Sequence, residues 1–166
     1  MTLVVAPAYG IYVGDTAGSP RTDNGEADIA KILEELGFNA LYEAFLYPIR
    51  LNDFGECTYG FTPDFWIPSS DRHPESHIEV TWPDREHPCA NPRRYRSPQE
   101  VIGTKQEKAR ETYRIYGMST LLLDYRACML LMQNPEQLHN LLDQLHEHKE
   151  TQDGLFRPGA HHFARR

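Results

Sequence analysis

Apolar residues in this chain recur in a few periodic runs separated by clusters of turn-forming residues. The start, MTLVVAPAYGIYVGD, is apolar, but its proline and glycines break it well short of a membrane span, so it reads as a strand or hairpin. A Gly-, Ser-, Pro- and Asp-rich loop covers residues 16–24. Ile29, Ala30, Leu33 and Leu36 then fall at helical spacing, with Asn24 or Asp23 as cap, Glu26 and Asp28 at the positive end and Gly37 as the stop. Glu26 lies three before Ile29 and four before Ala30, so it projects from the first turn on the buried side. A carboxylate there either finds a partner or a metal, or stays solvated at the helix end.

From Asn39 to Leu51 the chain is rich in aromatic and branched residues and reads as β structure, followed by a turn-rich connection over Asn52–Tyr59. Two short β-like segments come next, FTPDFWIP and HIEVTW, joined by the polar turn SSDRHPES. Alternation puts Ile78, Val80 and Trp82 on one face and His77, Glu79 and Thr81 on the other. Asp64 and Trp66 share a face opposite Phe65 and Ile67, and Pro63 marks an edge or an irregular strand. Asp64 and Glu79, on paired strands and aimed the same way, make a site for a hard divalent cation.

The run Thr104-Lys105-Gln106-Glu107 has the capping-box pattern and predicts a helix ending at Gly117, with Ala109, Thr112, Tyr113 and Tyr116 as its stripe. Lys105 and Lys108 precede stripe positions by four residues and lean toward the buried face. Ser119–Tyr125 reads as a buried strand, and strand, helix, strand predicts a right-handed crossover with a parallel pair. A last helix runs from about Pro135 to Lys149 with Asn134 as cap and Leu138, Leu141, Leu142 and Leu145 inward. The residues after it read as a flexible tail.

Composition adds little to this picture and charge adds more. At 166 residues, 40% hydrophobic and 25% charged, the chain suits one globular domain. A net charge of -7 excludes indiscriminate binding to polyanions. From Arg85 to Arg114, however, basic residues outnumber acidic ones by two to one, and Arg85, Arg93, Arg94 and Arg96 cluster around Tyr95 in a proline-rich insertion. That pattern suits a phosphate backbone, as well as a solvated loop. Three scattered cysteines give no disulfide framework and point to a reducing cytoplasm. His73, His77, His87 and Cys89, with Cys57 upstream, match no closed zinc pattern, and the remaining histidines read as surface.

The order is helix with inward Glu26, strand, strand with Pro63-Asp64, strand with Glu79-Val80-Thr81, helix, strand. It resembles the PD-(D/E)XK nuclease superfamily over roughly Glu26–Tyr125. The resemblance implies an α/β fold with a restriction-endonuclease-like core: a central mixed sheet of four or five strands flanked by helices, plus an extra C-terminal helix. The segments would be an N-terminal extension (1–22), a core (23–133), the C-terminal helix (134–150) and the tail (151–166). It implies a metal-dependent DNA endonuclease in which Asp64, Glu79, the Val80 carbonyl and Glu26 bind Mg²⁺, with Mn²⁺ as substitute. The motif lysine is missing, because position 81 is Thr81. Lys105 or Lys108, on the following helix, would supply that charge, helped by the helix's positive end. Gln106 would hold a water or phosphate. Arg85, Arg93, Arg94 and Arg96 would hold the DNA backbone. The alternative is a catalytically weak or inactive nucleic-acid-binding or assembly module on the same fold. DNA is the expected partner, no membrane is, and a homodimer or larger nucleoprotein assembly suits a duplex cutter with one site.

Overall fold

The computed structural model describes residues 10–14, 18–22, 24–82, 98–147 and 151–163. Among them the chain forms four α-helices and two sheets, an α/β architecture. The strands are β1 (Ile11–Tyr12), β2 (Leu41–Tyr42), β3 (Phe45–Leu51), β4 (Cys57–Phe61), β5 (Phe65–Ile67), β6 (Ser76–Val80), β7 (Thr120–Leu123) and β8 (Leu155–Phe156). The helices are α1 (Glu26–Glu35), α2 (Pro98–Tyr116), α3 (Tyr125–Gln133) and α4 (Gln137–Glu147). A five-stranded mixed sheet runs β2-β5-β6-β7-β8, and a three-stranded antiparallel sheet runs β1-β3-β4. No helix among the described residues is long and apolar enough to cross a membrane.

Strand alternation sorts the five-stranded sheet into two differently used faces. Phe65, Ile67, Ile78, Val80, Leu121 and Leu123 point into one core with Ile29, Ile32 and Leu33 of α1, Leu131 of α3 and the leucine stripe of α4. Leu122 and Leu155 point the other way, onto Ile102 and Ala109 of α2 and Phe61 of β4. The central strands β6 and β7 are buried along their whole length, as expected of strands covered on both sides. The polar face of β6 is therefore interior. His77 is fully buried there, its Nε2 2.8 Å from the Tyr47 hydroxyl. Burial pushes its pKa down to about 3.

Several boundaries differ from those the pattern predicts. The aromatic run from Asn39 is split by Glu43 and Ala44, and its two strands join different sheets. Helix α2 begins at Pro98, almost two turns before Thr104. Thr104 is thus inside the helix, its hydroxyl donating to the Glu100 carbonyl instead of capping. The positive helix end expected at Thr104 lies correspondingly earlier. The sequence reading missed α3, although Asp124 announces it by accepting the Ala127 N–H as an N-cap. Asn134 ends α3 and does not open α4, which starts at Gln137. The expected flexible tail also contributes a strand: β8 pairs in parallel with β7, and Leu155 and Phe156 are buried. Isolated leucine and phenylalanine carry no periodicity, so a two-residue strand left no signal. Arg85, Arg93, Arg94 and Arg96 lie outside the described residues, as do His87 and Cys89.

Two outcomes test this packing. Phe156→Ala should lower unfolding free energy by about 3–5 kcal/mol in urea titration, the loss typical of a buried aromatic; a surface-like change would remove β8 from the core. His77 binds its proton more weakly folded than unfolded, so it contributes stability above about pH 6.5 that is lost as pH falls toward 3. Wild-type stability should therefore drop between pH 6.5 and 4.5 more steeply than that of His77→Gln, by up to about 1.4 kcal/mol per pH unit.

Candidate functional site

Asp64, just before β5, and Glu79, near the end of β6, meet at the end of the strands nearest α1. Pairing of Phe65 with Ile78 and Trp66 with His77, continued one step, sets Asp64 opposite Glu79 on the face turned toward α2. The two residues also bind each other's strands. The Asp64 N–H donates to Glu79 Oε2 at 3.1 Å, and the Val80 N–H donates to Asp64 Oδ2 at 2.7 Å. Both residues are 5% exposed.

Lys105 enters this pair from α2. It sits one helical turn before Ala109 and two before Thr112, both fully buried against the sheet, so its stem runs inward with theirs. Its Nζ lies 2.5 Å from Glu79 Oε1 and donates to the Val80 carbonyl at 3.0 Å. Burial opposes its charge, but Glu79, Asp64 and Glu26 outweigh that and hold its pKa above the usual lysine range. Burial first, and Glu79 next, raise the Asp64 carboxyl well above the ordinary carboxylate range; Lys105 only partly offsets them.

Glu26 reaches the same neighbourhood because Gly25 allows it. Gly25 caps α1 with φ 87°, a left-handed conformation, and a Cβ there would fall 2.5 Å from the Trp82 ring. The glycine thus seats the helix start against the end of β6. Glu26 is 5% exposed, as the inward reading expects. Its oxygens are already engaged: Oε2 accepts from the Tyr42 hydroxyl at 2.6 Å and the Arg21 N–H at 3.1 Å, and Oε1 from Asn24 Nδ2 at 2.7 Å. It acts on Asp64 and Lys105 through its charge.

The sequence reading did not identify Glu43. It follows Tyr42 with φ 44°, a left-handed conformation costly for a residue with a side chain, and its N–H donates to the Asp64 carbonyl at 2.8 Å. Burial, then Glu26, raises its carboxyl pKa, with Glu79 adding and Lys105 opposing. Only the sheet break at Glu43, invisible in a continuous β-like run, turns it toward the other acids.

Lys108 and Gln106 take other directions. Lys108 Nζ stands 4.8 Å from the centre of the Tyr59 ring, on the side facing β4. Gln106 is partly buried and lies about 100° around the helix from Lys105. The histidines also lie elsewhere. His73 is buried with Nε2 3.0 Å from His139 Nδ1 and Nδ1 3.3 Å from Asp143 Oδ1; His146, expected at the surface, places Nε2 2.7 Å from the Ser76 hydroxyl.

Carboxylates and a carbonyl are hard oxygen donors, and Glu26, Glu43, Asp64 and Glu79 outnumber the single ammonium among them. That chemistry suits Mg²⁺, which takes one or two carboxylates and keeps several waters. Among the described residues no three His, Cys, Asp or Glu side chains form a ready-made cage, and Lys105 holds two of the oxygens a cation would use. Without divalent cation, Asp64→Asn should melt above wild type at pH 7, by about 2–4 °C per kcal/mol of repulsion relieved. A raised carboxyl pKa withdraws stability as pH climbs, so the gap should close toward pH 4. Thermal melts at both pH values check this, and a lower melting point at pH 7 would contradict it. No protein-family model, curated protein or solved structure matches the chain.

Proposed function

We propose that this chain is a metal-dependent DNA endonuclease that hydrolyses phosphodiester bonds, built on a restriction-endonuclease-like core. The observation that carries the reading is the meeting of Asp64, Glu79, the Val80 carbonyl and the Lys105 ammonium on one face of the β5–β6 pair. These are the acid, acid, carbonyl and lysine that PD-(D/E)XK chemistry calls for, with the lysine delivered by α2 because Thr81 is short, uncharged and buried.

Asp64 and Glu79 are the residues to hold Mg²⁺ or Mn²⁺, with Val80 offering its carbonyl. When bound, the ion supplies an activated water and neutralises charge on the phosphoryl oxygens. Lys105 stabilises the charge that develops on the phosphorus oxygens. Glu26, fixed by Tyr42, Asn24 and Arg21, positions the start of α1 and keeps the pocket negative. Lys108, on the α2 flank, suits a phosphate away from the reacting one. Arg85, Arg93, Arg94 and Arg96 would hold the DNA backbone through their charge, and two copies of the chain would cut both strands of a duplex.

Supercoiled plasmid with Mg²⁺ or Mn²⁺ tests the proposal. Wild type should nick it, and Asp64→Ala and Glu79→Ala should each lose about 100-fold or more in rate. Intact plasmid combined with salt-sensitive DNA binding would replace the enzyme with a binding or assembly module. Absence of both would remove nucleic acid from the account.

A further inference from the structure

Lys105 occupies an unusual position for a group whose proposed task is to meet a phosphate. Its Nζ is 2.5 Å from Glu79 Oε1 and 3.0 Å from the Val80 carbonyl, so its contacts are with the chain's own oxygens. With Asp64, these two oxygens are the donors assigned above to a divalent cation. An ammonium and a hard cation cannot both sit on them, because at contact distance in a poorly screened pocket their charges repel strongly. A buried Glu79 without any cation beside it would be equally unfavourable, so the pocket needs one occupant at all times.

The means of exchange are built into Lys105. Its side chain is 27% exposed, whereas that of Glu79 is 6% exposed, so the lysine borders an open wall and the glutamate does not. A lysine stem is flexible, and its head can move toward water while the methylenes stay packed. Glu26 and Glu43 are close enough to act electrostatically on this lysine or to feel its charge, so the surroundings stay negative.

We infer that Lys105 is the resident counter-ion of this pocket, and that it must leave Glu79 and Val80 when a divalent cation binds. Its ammonium then becomes available to a substrate phosphate only after loading. The inference rests on the metal reading of the site and adds an order of events to it: an unloaded chain keeps its catalytic cation locked away. Thr81 makes the device possible. A lysine at that position would be tied to the strand itself, whereas one from a neighbouring helix is free to move away from it.

Mn²⁺ titrated into the full chain by calorimetry tests it. Lys105→Met, which removes the competing charge, should bind Mn²⁺ at least tenfold more tightly than wild type. In wild type, saturating Mn²⁺ should increase acylation of Lys105 by an amine-reactive ester, read by peptide mass spectrometry; this second measurement needs no variant and stands even if Lys105→Met folds poorly. Mn²⁺ binding to wild type with Lys105 labelling unchanged or reduced would overturn the displacement and leave the metal reading in place. The same holds for equal or weaker binding by a folded Lys105→Met. Mn²⁺ binding to neither protein would overturn both.

Discussion

The site depends on one buried ion pair. Glu79 sits in the middle of a five-stranded sheet, on a strand covered on both faces, where an unpaired carboxylate is strongly destabilising. Lys105 answers it at contact distance and takes the Val80 carbonyl as well. Breaking such a pair by removing one partner costs about 3–5 kcal/mol, a large part of the stability of a domain this size. Four acids against one ammonium is an excess that no packing argument favours. Burial, with Glu79 adding to it, leaves Asp64 with a carboxyl that resists ionisation. A protein selected only for stability would have placed aliphatic residues at these positions, as at Ile78 and Leu122 beside them.

The surrounding architecture serves that contact. Parallel pairing of β6 with β7 brings α2 across the sheet, so two turns of helix align Lys105, Ala109 and Thr112 on the sheet surface. Antiparallel pairing of β5 with β6 fixes Asp64 against Glu79 through two hydrogen bonds between side chain and main chain. Gly25 and Trp82 lock the start of α1 beside them. On the far side, His73, His139 and Asp143 tie the β5–β6 turn to α4, anchoring the end of the hairpin remote from the acids.

Much of this could be read from residue order. Helical spacing put Glu26 inward, alternation put Asp64 and Glu79 on one face, and the offset of four from Ala109 turned Lys105 toward them. What stayed hidden depended on contacts between residues distant in the chain. Lys108 follows the same offset rule as Lys105 yet leans on Tyr59, because β4 and not the acid pocket lies beneath that side of α2. Glu43 looks like one more residue of a strand until the chain leaves one sheet for another. Thr104 shows a capping pattern inside a helix that had already begun at Pro98. Asp124 is an ordinary N-cap, but it follows a strand so closely that the strand's apolar run conceals the helix it opens.

The short strand β8 has a consequence for how the molecule is made. It borders β7, the partner of the strand that carries Glu79, and supplies Leu155 and Phe156 to the two cores. During synthesis every other strand of the sheet leaves the ribosome before this one, and domains close as cooperative units once their parts are present. The acid pocket is therefore completed only when β8 is available, and until then the edge of β7 that β8 covers is open to association with another chain. Among the described strands, the one that emerges last is the one that ends that exposure.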